Sequence, residues 1–104
     1  MDIRETERIN CLYDLYGVLL TKHQQGIIED YYQDNLSLAE IAENLKISRA
    51  AVFSLLKRVV NKLEFYESKL QLLEKKEKLN KLLDKADLSE KLKEEIINLL
   101  EEER

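Results

Sequence analysis

The chain is predicted to be all-α, and three observations carry that reading. Proline is absent and only Gly17 and Gly26 occur, so few positions can host turns that need a special backbone. Charged residues make up 37% of the chain and Leu, Lys and Glu dominate, the composition of helical bundles. Apolar residues recur at helical spacing with no period-2 alternation, punctuated by hydroxyl or acidic residues followed three positions later by Glu or Gln. At 104 residues the chain is within the size of one compact unit. An apolar seam that lapses at Glu77 divides an expected helix-turn-helix domain over residues 1–75 from a charged helical extension over 76–104.

The first helix is expected to be capped by Asp2 with Glu5 and to run to about Leu20. Ile9, Leu12, Tyr16 and Leu19 form its apolar stripe, with Leu15 and Leu20 beside them. Thr21 with Gln24 makes a capping box for a second helix through Ile27, Ile28, Tyr31 and Tyr32, broken at Asp34-Asn35. Gly17 and Gly26 lie inside these patterns and are expected to permit close helix packing. The tyrosines, at helical spacing beside Leu and Ile, read as core residues whose hydroxyls reach solvent.

Ser37 and Glu40 open a short helix by the same capping box, and Ser48 caps the next. Ile41, Ala42, Leu45, Ile47, Val52 and Leu55 fall where two crossed helices bury side chains, with Ala42 small at the closest approach. Leu45-Lys46-Ile47 has the length of a tight connection, so residues 37–63 read as a helix-turn-helix. From Val52 the seam continues through Leu56, Val59, Leu63, Tyr66, Leu70 and Leu73 in spacings of four and three. Continuous to Lys85, that helix would be ~55 Å long. Leu79, Leu82 and Leu83 form a weaker stripe. Asp87 with Glu90 is expected to cap a terminal helix bearing Leu88, Leu92, Ile96 and Leu99 or Leu100, and residues 101–104 should fray.

Charge singles out the same segment. Residues 1–36 hold three basic and seven acidic residues, a net −4. Residues 64–104 hold nine against twelve, a net −3. Residues 37–63 hold Lys46, Arg49, Lys57, Arg58 and Lys62 against Glu40 and Glu43, a net +3. A local basic patch on a helix-turn-helix is the electrostatic footprint of a nucleic-acid binder. Burying Val52, Leu56 and Val59 turns Ala50, Ser54, Lys57 and Asn61 outward, flanked by Ala51 and Arg58 on one side and Phe53 on the other. Base reading asks for Arg, Lys, Asn or Gln near the start of this helix. Here that tip offers Ala50, Ala51 and Ser54 with Arg49 at its edge, which favours phosphate contact over sequence reading. The candidate nucleic-acid-binding set is therefore Ser48, Arg49, Ser54, Lys57, Arg58, Asn61 and Lys62, for DNA or RNA with weak sequence specificity.

Other chemistry is thin. Cys11 and His23, the sole cysteine and histidine, cannot supply a four-ligand zinc site, and no phosphate loop or nucleophile–base pair is present. No catalysis and no cofactor are expected. Cys11 reads as a core or boundary residue and His23 as solvated. The acidic start MDIRETERINC carries no signal peptide pattern, no stretch reaches the ~20 apolar residues of a membrane span, and one cysteine suits a reducing compartment, so a cytoplasmic location is expected.

The landmarks Leu20-Thr21 before Gln24, Tyr31-Tyr32, Ser37-Leu38 with Glu40-Ile41-Ala42, Ile47-Ser48-Arg49, Val52, Lys57-Arg58, and Tyr66-Glu67 with Lys69-Leu70 carry a resemblance. Over roughly residues 8–75 the chain resembles region 4 of bacterial σ factors and, more closely, the YlxM-type helix-turn-helix proteins. The resemblance implies a small cytoplasmic bacterial protein with a regulatory, non-enzymatic role. It also implies an association with the signal recognition particle pathway and its components. Two alternatives stay open: a helical adaptor docking on an acidic protein surface with no nucleic acid bound, and a DNA-reading transcription regulator.

The distal seam residues Leu63, Tyr66, Leu70 and Leu73 span about two heptads and need a cover. The first helix is expected to cover part of them. The terminal helix or a second chain would cover the rest, giving a weak homodimer.

Overall fold

A computed structural model describes residues 2–101 and confirms an all-α chain. Among the described residues the helices are α1 Ile3–Tyr16, α2 Lys22–Ile28, α3 Leu38–Leu45, α4 Arg49–Leu70, α5 Leu72–Lys85 and α6 Glu90–Glu101. They form two compact units, the first ending at Leu70 and the second beginning at Gln71, five residues before the boundary read from the sequence.

In the first unit α4 is the central element, packed by α1, α2 and α3. Ile9, Leu12, Tyr16, Ile28, Ile41, Val52, Val59 and Leu63 are almost fully buried, and Leu20, Ile27, Ala42 and Leu56 complete the core. Asp2 caps α1 through the Arg4 amide at 2.9 Å. The helix ends at Tyr16 rather than near Leu20, and a 3-10 turn over Gly17–Leu19 follows. That tighter turn rotates the chain, so Leu20 is buried and Leu19, expected in the stripe, is half exposed. The turn needs Gly17, because a Cβ there would lie 2.8 Å from the Tyr13 ring. Tyr13 is itself fixed, its hydroxyl donating to Glu29 Oε2 at 2.6 Å. Burial first, and that carboxylate second, push the Tyr13 phenol up to about 12. Gly26 has open space around it and serves no close packing.

The Thr21–Gln24 capping box forms as expected. After Ile28 the α2 helix widens into a single π turn over Glu29–Gln33, closed by the Asp34 amide on the Glu29 carbonyl at 2.8 Å. Asn35 then takes a left-handed φ of 58° and stops it. Tyr31 and Tyr32 are half-buried, their rings edge to face at 5.0 Å.

Tyr16 does not carry its hydroxyl to solvent. It is 1% exposed, its ring lies 5.9 Å from Tyr66, and its hydroxyl donates to the buried Glu67 at 2.7 Å. So α1 does cover the middle of the α4 seam. Nearer the surface, Arg8 grips Glu64 with two bonds of 2.8 Å, an exposed pair worth about 0–1 kcal/mol. Cys11 is exposed rather than at a core boundary, because the buried face of α1 passes through Ile9, Leu12 and Tyr16.

The seam does not run on as one helix. Gln71 adopts φ 55°, which ends α4 and begins α5, and Leu70 is exposed. In the second unit α5 packs on α6, with Leu73 and Leu83 buried. Ser89, not Asp87, caps α6, accepting from the Leu92 amide at 3.2 Å. Two cap-competent residues stand within three positions there, and the later one takes the amide. The expected fray past Glu101 lies outside the described residues.

Candidate nucleic-acid interface

The Ser37 hydroxyl accepts from the Glu40 amide and the Ser37 amide donates to Glu40 Oε1, both at 3.1 Å. Those bonds to Ser37 hold the Glu40 carboxyl below the usual range. Ile41 and Ala42 face α4 from α3. The turn is made by Lys46, left-handed at φ 58° and ψ 42°, with the Ile47 amide returning to the Ala42 carbonyl at 3.1 Å. This is the Schellman-type end at which glycine is usual; lysine occupies it here. Ile47, expected in the core, is 38% exposed on that turn. Leu45 and Leu55 are half-buried. The Ser48 hydroxyl then accepts from the Ala51 amide at 3.0 Å and launches α4.

With Val52, Leu56, Val59 and Leu63 inward, α4 presents Ala50, Ser54, Lys57, Arg58 and Asn61 to solvent. Arg49 is exposed at its tip and Lys46 on the preceding turn. Lys46, Arg49, Lys57 and Arg58 hold no ion pair among the described residues. Lys62 stands apart. It is half-buried and its ammonium reaches back to Gln24 Oε1 at 3.4 Å, toward α2. The structure thus gathers Ser48, Arg49, Ser54, Lys57, Arg58 and Asn61 on one exposed face and turns Lys62 to its edge.

A groove of about 300 Å³ opens beside that face, bounded by Tyr31, Tyr32, Glu5 and Leu38 on one side and by Phe53 and Lys57 on the other. Burial and the Glu5 charge push the Tyr32 phenol upward. Sequence reasoning placed the tyrosines in the core, and only the exposed flank position of Phe53 pointed here. Among the described residues no cluster of His, Cys, Asp or Glu could hold a metal ion, and no helix is long and apolar enough to cross a membrane.

A capped short helix, a three-residue turn with Lys46 left-handed and a longer helix with a cationic outer face define a helix-turn-helix protein. The comparisons agree: residues 3–103 match the family UPF0122, described as "Putative helix-turn-helix protein, YlxM / p13 like". The chain belongs to that family. It is 46% identical to the UPF0122 protein YlxM of Bacillus subtilis, over 97% of this chain and 94% of the relative. It is 48% identical to a UPF0122 protein of Lactococcus lactis subsp. cremoris, over 81% and 76%. A Listeria innocua UPF0122 protein is 41% identical over 94% and 93%.

Proposed function

We propose that the chain is a regulatory, non-catalytic, cytoplasmic nucleic-acid-binding protein that holds phosphates on the outer face of α4. One observation carries this reading. Arg49, Lys57 and Arg58 are exposed, and among the described residues without ion pairs, on the one basic segment of a chain whose net charge is −4. The small side chains Ala50 and Ser54 at the helix tip favour phosphate contact over reading of base edges. The resemblance of residues 8–75 to region 4 of σ factors supports the same use of α4. The family likeness supports a place as an accessory of the signal recognition particle pathway, with components of that particle as partners.

Binding to DNA or RNA should fall steeply with salt as counterions are released. Four cations give a slope of log K against log salt of roughly −3 to −4 on duplex. Lys57→Ala with Arg58→Ala should weaken binding whatever the sequence and flatten that slope by about two. Fluorescence anisotropy across a salt series measures both. Absence of binding at ~50 mM salt would replace this reading with the protein adaptor.

The proposal includes weak self-association through the second unit. Leu82, Leu92 and Leu99 are exposed there. Helix α5 carries five lysines against three acids and α6 two against four, so a two-fold pairing of α5 with the α6 of a second copy would set opposite charges together. Light scattering should show dimers at high concentration for the native chain and only monomers for Leu82→Lys with Leu92→Lys. Unchanged dimers in that variant would remove this interface.

A further inference from the structure

The groove beside α4 is not used by phosphate contact alone. We propose that it takes an unpaired nucleobase, so that the chain prefers a single-stranded stretch of nucleic acid to a closed duplex. The inference rests on the nucleic-acid reading of α4 and names the form of nucleic acid it would hold.

Three features of the groove converge on that ligand. The first is aromatic surface held open to solvent. Phe53 is 57% exposed on α4, so more than half of a large apolar ring is open to solvent. Across the groove Tyr31 and Tyr32 stand edge to face, held by the π turn that interrupts the end of α2. Flat π surfaces of this kind stack on bases, and they do so without regard to sequence.

The second feature is size. About 300 Å³ is at the lower end of the ~300–1,000 Å³ usual for small-ligand sites. It suits one base with its sugar and is too small for a stacked run or a partner helix.

The third is the arrangement of charge. Lys57 lines the groove, is exposed and has no ion pair among the described residues, so it can hold the phosphate that accompanies any nucleotide. Glu5 lies on the opposite wall, where its carboxylate can accept from the exocyclic amine that adenine, cytosine and guanine carry. An apolar peptide side chain would use the rings and leave both charges idle. A base inside a duplex offers only its edges, because its faces are already stacked. An unpaired nucleotide uses the rings, the cation and the carboxylate together.

The test compares native chain and variants on oligonucleotides of one length, single-stranded and blunt duplex, in RNA and DNA arms. Phe53→Ala should weaken single-strand binding about five- to 150-fold, the range for loss of one base–aromatic stack, and leave duplex binding within about twofold. Phe53→Leu should behave like Phe53→Ala although it keeps apolar bulk, and Phe53→Tyr should restore binding. Lys57→Ala should weaken both forms. The chain has no tryptophan, so Phe53→Trp supplies a unique reporter whose fluorescence should be quenched by the single strand and not by the duplex. Thermal melts confirm that each variant is folded, as substitution of an exposed residue should allow.

Equal binding of single strand and duplex, both unmoved by Phe53→Ala, would overturn the groove proposal while the phosphate reading of α4 stands. Loss of both forms in parallel on Phe53→Ala would also overturn it. Failure of every oligonucleotide to bind the native chain would overturn both. The RNA and DNA arms decide which sugar the site accepts.

Discussion

Ala42→Glu is expected to abolish cooperative melting of the first unit. Ala42 is 8% exposed on α3, which packs against α4, and it follows Ile41, which has no exposed surface. A glutamate there must either bury a carboxylate among apolar side chains or push the two helices apart. An unpaired buried charge costs about 3–5 kcal/mol. A domain of this size has only about 5–15 kcal/mol to lose, and small ones sit at the lower end. Ala39→Glu is the control. It lies on the same helix, one residue from Leu38, but is exposed, and a carboxylate in the first turn of a helix is favourable. Circular dichroism melts should show a broad or absent transition for Ala42→Glu and a native one for Ala39→Glu. Native melting of Ala42→Glu would show that α3 and α4 do not pack through Ala42.

Tyr16→Phe is expected to cost about 1–3 kcal/mol, since it removes one hydroxyl and so one donor from a buried carboxyl group. The Tyr16–Glu67 bond at 2.7 Å joins α1 to the far end of α4 across 51 residues of sequence. At roughly 4–8 °C per kcal/mol for a domain of this size, the midpoint should fall by several degrees. The ring itself remains, so the loss reports the hydrogen bond and not a cavity. Tyr66→Phe provides the comparison. Tyr66 is half-buried against the Tyr16 ring with no hydrogen bond from its hydroxyl among the described residues, and its loss should stay within about 0.5 kcal/mol. Equal effects of the two variants would mean that the Tyr16–Glu67 bond adds nothing to the fold.

Neither the Glu67 bond nor the nucleotide groove could be read in the sequence. In the sequence Glu67 stands only beside Tyr66 as a landmark of the resemblance, with nothing to mark it as buried. Its burial follows from where α1 crosses α4, which no spacing within α4 records. The groove is assembled from Glu5, the Tyr31-Tyr32 pair and Phe53, residues up to 48 positions apart. Each has an ordinary structural reading when taken alone. By contrast the cationic face was legible, because Lys57 and Arg58 lie opposite Val52, Leu56 and Val59 by helical geometry alone. Lys62 was the residue of that set whose surroundings depended on another element, since Gln24 of α2 draws its ammonium aside.

The sequence by itself determined the helical class, the capping boxes at Thr21–Gln24 and Ser37–Glu40, the Ser48 cap, and the inward seam Val52, Leu56, Val59 and Leu63. These depend on bonds three residues apart or on the helical repeat, so the local chain contains the whole cause. Tertiary structure decided the rest. The α1 helix gives way to a 3-10 turn after Tyr16, where the Tyr13 ring, held by Glu29, leaves no room for a side chain at Gly17. Helix α4 stops at Gln71 without any glycine or proline to announce it, and the apolar repeat from Leu70 to Leu73 runs straight across the break. The burial of Glu67 and the walls of the groove are settled by contacts between segments distant in the chain. Periodicity and capping describe each segment alone, and so cannot register them.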